Sequence, residues 1–172
     1  MKDAIKRVRD KYDLPNDWLN TDFMRTKSYS PKLNQFSRYY RTYSNILTIR
    51  TIAAEYLIAM KLRAGRQYKN DISDVIGILR EHDNQGNPIS WETIDNAVIN
   101  LYGSWEEFPK NSKNYLKHII NEHNYEKAFE AAREEEIFSK KALVDFEKDY
   151  PEVLKESNLN DVLKLLKSKK EN

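Results

Sequence analysis

Residues 54–74, AEYLIAMKLRAGRQYKNDISD, decide how this chain is read. Leu57, Ile58, Lys61 and Leu62 fall at i, i+1, i+4 and i+5, with Ala54 three residues before Leu57. That is the spacing of the inward stripe of an amphipathic helix. Lys61 therefore stands where an apolar residue belongs. A charge on such a stripe is costly unless its head reaches a partner or a pocket. A second helix follows, carrying Asp71 and Asp74 at i, i+3 beside an apolar stripe of Ile72, Val75, Ile76 and Leu79. The two helices aim one cation and two carboxylates toward one region, either as an ion pair that joins them or as a site.

Working outward, the first helix spans about 53–64 and ends near Gly65, a suitable residue beyond a helix C-terminus. The second spans about 68–80. HDNQGNP, residues 82–88, is a turn cluster. Ser90 caps the next helix, with Glu92 near its positive end, and Ile94, Val98 and Leu101 form its core face before Gly103 stops it. Beyond Pro109 the pattern is helical throughout, over about 110–122, 124–148 and 159–169, with Asn158 as the cap of the last. EAAREEE, residues 130–136, reads as a solvated helix face with i, i+4 partners such as Lys140. The final LLKSKKEN reads as a frayed tail.

Upstream, Ile46-Leu47-Thr48-Ile49-Arg50-Thr51 is β-branched and short, the one clear strand signal. A strand cannot stand alone, so its partner must come from the 21–43 region, from a second chain or from sequence not present here. Between Thr21 and Ser44 no periodicity survives. Six aromatics, Phe23 to Tyr43, are interleaved there with Arg25, Lys27, Arg38 and Arg41. They serve either to pin a long loop to the core or to stack bases and pair phosphates. Residues 2–12 place Ile5, Val8 and Tyr12 on one helical face, and Leu14-Pro15 ends that helix. A short helical turn starting at Asp13 runs through Trp18 and Leu19.

With 172 residues, 40% hydrophobic and 33% charged, the chain can bury a core without staples. Only 4 Gly and 5 Pro argue against a turn-rich sandwich. The absence of Cys removes disulfides, thiolate metal sites and cysteine nucleophiles, and fits a reducing cytosol. Nothing resembles a signal peptide or a membrane span, so the expected location is cytoplasmic. A net charge of +2 leaves local patches undecided.

The common chemical motifs are missing. His118 and His123 are five apart, the wrong interval for one helix face, and His118 with Glu122 reads as a surface pair. There is no GxSxG, no GxxxxGK[ST] and no GxGxxG. What remains is Lys61 with Arg66, Lys69, Asp71 and Asp74. A lysine rising from an apolar stripe can neutralise a triphosphate as a compact point charge, and Arg66 offers the fork that suits phosphate. Asp71 would orient Lys61 or bind Mg²⁺ indirectly.

The order of a helix, LPNDWLN (residues 14–20), the strand NILTIRT (residues 45–51) and then Ala59-Met60-Lys61-Leu62, Arg66, Asp71 and Asp74 resembles the bacterial nucleotidyltransferase-fold proteins related to the AbiEii abortive-infection toxins. The likeness covers about residues 1–105. It implies an α+β, mostly helical fold: a truncated nucleotidyltransferase-like small sheet with flanking helices over 1–105, then a C-terminal helical bundle over 106–172. It further implies nucleotidyl transfer from an NTP with Mg²⁺ to an RNA, tRNA or protein acceptor, and a neutralising antitoxin partner. Lys61 would contact the nucleotide, Arg66 would be an ancillary phosphate or structural contact, and Asp71, with Asp74 as the alternative, would be the downstream catalytic carboxylate. The family's Gly-Ser turn and DxD strand precede the part matched here, so the expectation is a C-terminal portion, inactive by itself. The alternative expectation is a non-catalytic interaction module that forms a homodimer through an exposed sheet edge.

Overall fold

The computed structural model describes residues 2–16 and 22–170. In chain order its elements are α1 (Lys2–Tyr12), a 3-10 turn (Asp22–Arg25), α2 (Leu33–Phe36), β1 (Ser37–Tyr43), β2 (Leu47–Ile52), α3 (Ala54–Ala64), α4 (Asp71–Asn84), α5 (Trp91–Tyr102), α6 (Ser112–Glu122), α7 (Tyr125–Asp149) and α8 (Leu159–Lys170). This is an α+β fold, mostly helical.

The strand expected near 46–51 finds its partner within the chain. β1 and β2 pair antiparallel, with Tyr43 opposite Leu47, Thr42 opposite Thr48 and Ser37 opposite Ile52. Ser44 and Asn45 turn the hairpin with φ of 49° and 53°, the paired left-handed conformation that matches strand twist. A bulge between Tyr39 and Arg41 shifts the register. β1 leaves no periodic trace in the sequence because nearly all of both strands is exposed, so neither face is apolar. At the hairpin's foot, Phe36 stacks on Tyr56 of α3 with ring centroids 4.9 Å apart.

α3, α4 and α5 carry the centre of the core. Ile58 and Leu62, Ile76 and Leu79, and Ile94 and Val98 are all essentially inaccessible. Burying each such side chain contributes roughly 1.5–3 kcal/mol. The same cluster continues past Trp105 into Leu116 and Ile119 of α6 and Tyr125 and Ala132 of α7. α3 stops where Gly65 turns left-handed (φ +55°) and donates its N–H to the Lys61 carbonyl at 3.0 Å. Ser90 caps α5 by accepting from the Thr93 amide at 3.2 Å, as its position predicts.

Several expectations need correction. α4 begins at Asp71, not near 68, because the Asp71 carboxylate accepts the Arg66 amide and closes the preceding turn. It runs on to Asn84, so the turn cluster is shorter than read. α1 forms over Lys2–Tyr12 as its spacing predicts, with Val8 and Tyr12 exposed. The Asn158 side chain does not cap α8; it accepts from the Lys155 amide and donates to the Val153 carbonyl. Of the final LLKSKKEN, residues 165–170 are held in α8, where Lys167 bonds Glu135 at 2.5 Å and Gln67 at 2.8 Å. Trp18 and Leu19 lie outside the described residues.

Candidate functional site

The Lys61 side chain leaves the core-facing side of α3 and reaches toward the first turn of α4. Its ammonium donates to Asp74 and stands 3.7 Å from Asp71 Oδ1. Partial burial (27% exposed side chain) answers the cost of a charge on the stripe: the stem packs while the head meets two acids. Lys61, Arg66, Asp71 and Asp74 therefore do form one cluster. Lys69, by contrast, is exposed.

The two aspartates play different parts. The Asp71 side chain is 2% exposed and is gripped by Arg66, whose Nε donates to Oδ2 at 2.9 Å and whose Nη2 donates to Oδ1 at 3.0 Å. This is the two-pronged pairing that arginine geometry favours. These hydrogen bonds, outweighing partial burial, hold the Arg66 pKa above its ordinary value. Arg66 thus has its fork turned inward on Asp71. Asp74 is 44% exposed and faces open space.

That space is an open hollow of about 710 Å³, lined by Lys61 and Asp74, by Ile52 at the end of β2, by Gly77 and His82 of α4, and by Phe129 of α7 among others. Neither Asp71 nor Arg66 reaches its wall. The volume falls in the range of small-molecule sites, with an apolar lining and a few converging polar groups. Glu81, seven residues after Asp74 on the same helix, adds a second carboxylate to the rim. His82 Nδ1 is buried without a hydrogen-bond partner among the described residues. The cluster of Lys61, Arg66, Asp71 and Asp74 is formally neutral, and the rim itself carries one ammonium against two carboxylates.

Glu136 was missed by the sequence reading, which placed it on a solvated face. It is buried on α7. Its Oε1 accepts from the Ile72 and Ser73 amides at 3.0 and 3.1 Å, and Oε2 accepts from the Ser73 hydroxyl at 2.6 Å. A carboxylate from a distant helix thereby satisfies the open amides of α4's first turn and complements its positive end. This contact fixes the helix that carries Asp71 and Asp74.

His118 and Glu122 are an exposed pair 3.9 Å apart, as the spacing predicts, and His123 ends α6 with φ of +50°. Among the described residues, no group of three or more Asp, Glu and His side chains is arranged to hold a metal ion. No described helix is long and apolar enough to cross a membrane. No protein-family model, no curated protein and no solved structure matches this chain.

Proposed function

We propose that this chain is a nucleotidyltransferase-like protein of the toxin and abortive-infection kind, which contacts its nucleotide through Lys61. By itself it holds a nucleoside triphosphate without transferring the nucleotidyl group. The observation that best supports this reading is the position of the Lys61 ammonium, on the wall of a ligand-sized hollow beside Asp74. In this account Asp74 holds the ammonium until phosphate replaces it, while Asp71 and Arg66 form the buried brace behind it. That division moves Asp71 from direct contact to support and takes the structural of the two roles expected for Arg66.

Among the described residues no group of three or more Asp, Glu and His side chains is arranged to hold a metal, but Mg²⁺ carried by phosphates needs only one or two carboxylates from the protein. The cation would have to arrive on the nucleotide's own phosphates. Nucleotidyl transfer by two metals needs carboxylates held together at the reacting phosphate. The present cluster supplies one exposed aspartate and commits the other to Arg66. An antitoxin partner belongs to the same reading.

The test is calorimetric titration of each Mg²⁺·NTP into the chain, run beside an assay for transfer of α-labelled nucleotide. Saturable binding with no label transfer is the expected result. The absence of any heat at millimolar nucleotide would end the proposal.

A further inference from the structure

A second feature uses none of the polar groups of the Lys61 hollow. From Phe23 to Ala54 the chain has no Asp or Glu, but it has Arg25, Lys27, Lys32, Arg38, Arg41 and Arg50. With 29 cations and 27 acids in the whole chain, the rest is left with 23 cations against all 27 acids. Charge is therefore sharply divided, and most of the basic segment is the hairpin and its approach.

The hairpin presents that charge together with aromatic rings. Leu47, Ile49 and Thr51 point to one side of β2, and their partners Tyr43, Arg41 and Arg38 share that side on β1. The Arg41 guanidinium lies 5.0 Å from the centre of the Tyr43 ring. Tyr40 sits at the bulge and is 62% exposed; Tyr43 is 42% exposed. Arg50 is occupied with Ser37, but no carboxylate among the described residues pairs with Arg38 or Arg41. Rings open to solvent beside unneutralised guanidiniums suit a polyanion with flat faces to stack.

We propose that this exposed face of the β1–β2 hairpin binds single-stranded nucleic acid, with Tyr40 and Tyr43 stacking on bases and Arg38 and Arg41 pairing with phosphates. Stacking of this kind requires unpaired bases, which favours a single strand over a duplex. A second copy of the chain is a poorer occupant. Laying two such faces together would oppose arginine to arginine, and like charges directly across strands are destabilising.

The test is fluorescence anisotropy of the full chain with labelled oligo(U) and oligo(dT) of about twelve nucleotides. Two phosphate contacts predict a fall in affinity of about sevenfold between about 50 and 200 mM salt. The double variant Arg38→Ala, Arg41→Ala should bind weakly and lose most of this salt dependence. Tyr40→Ala with Tyr43→Ala should weaken binding at least tenfold while leaving the salt dependence in place. Both pairs are solvent-facing, and thermal melts of each variant check that the fold is kept. The proposal is overturned by no binding at the lower salt, by equal binding of a duplex, or by displacement of the oligonucleotide by polyglutamate at matched charge. The last would mean that the surface takes acidic polypeptide. Light scattering that finds a dimer dissolved by these same substitutions would assign the face to a second copy instead.

Discussion

Glu136 and Ser73 meet across 63 residues of sequence, the carboxylate taking both the amide and the hydroxyl of the serine. One side chain of α7 thereby does for the first turn of α4 the work that a local cap does for α5. Removing it leaves the Ile72 and Ser73 amides without this acceptor and the Ser73 hydroxyl with only the Asn70 carbonyl at 3.4 Å. Glu136→Ala is expected to destabilise by about 3 kcal/mol or more. Glu136→Gln, which keeps one acceptor, should lose less. Urea denaturation of the two variants measures the difference.

The brace behind Lys61 predicts an unequal response within one cluster. Asp71→Ala strips Arg66 of its partner and opens a buried polar hole, and should cost about 3 kcal/mol. Lys61→Met should cost about 1 kcal/mol or less, since Asp71 keeps Arg66 and Asp74 remains in water. Equal losses in chemical denaturation would show that the ammonium, not the guanidinium, neutralises Asp71.

Two glycines should respond in opposite directions. Gly65 is left-handed, and a Cβ there would collide with Pro109 Cγ. Gly65→Ala is therefore expected to cost about 1–2 kcal/mol or more. Gly77 lies inside α4, where a Cβ would rest in ordinary contact 3.5 Å from Phe129. Gly77→Ala should stabilise by about 0.5–1 kcal/mol through helix propensity alone. Melting curves of the pair decide both signs.

Burial pushes the Tyr102 phenol up to about 12, against a smaller opposing pull from Arg63, and the hydroxyl donates to the Ser28 carbonyl at 2.6 Å. Its proton is held more tightly in the folded chain than in the unfolded one, where the phenol titrates near 10. The associated stability is intact below pH of about 10 and is lost as pH climbs toward about 12. Tyr102→Phe should lose about 1 kcal/mol at neutral pH, from the missing hydrogen bond, and then decline less steeply across that alkaline window. Parallel slopes for the two proteins would contradict the assignment.

Much of the helical framework was legible because its stripes are regular. The spacing of Ile94, Val98 and Leu101, the Ser90 cap and the Gly65 and Gly103 stops all lie in local sequence, and each appears where expected. Lys61 was legible for the opposite reason, as a breach in a stripe. Glu136 is the same kind of breach, since Ala132, Glu136, Ser139 and Leu143 form one buried line along α7. It was hidden by the neighbouring Glu134 and Glu135, which made a single inward acid look like part of a charged face. β1 was illegible because a solvent-exposed ribbon needs no alternation. The division of labour between Asp71 and Asp74 was also beyond reach, because it depends on Arg66 folding back from a loop.

The central claim is that Lys61 turns a ligand-sized hollow into a phosphate site. Calorimetric titration of Mg²⁺·ATP into the wild-type chain and Lys61→Met tests it most directly, with melting temperatures measured beside it. The account predicts affinity at least tenfold lower in the variant, a difference of about 1.4 kcal/mol, with the fold preserved. Equal affinity in the two proteins would contradict it and leave Lys61 as a joint between two helices.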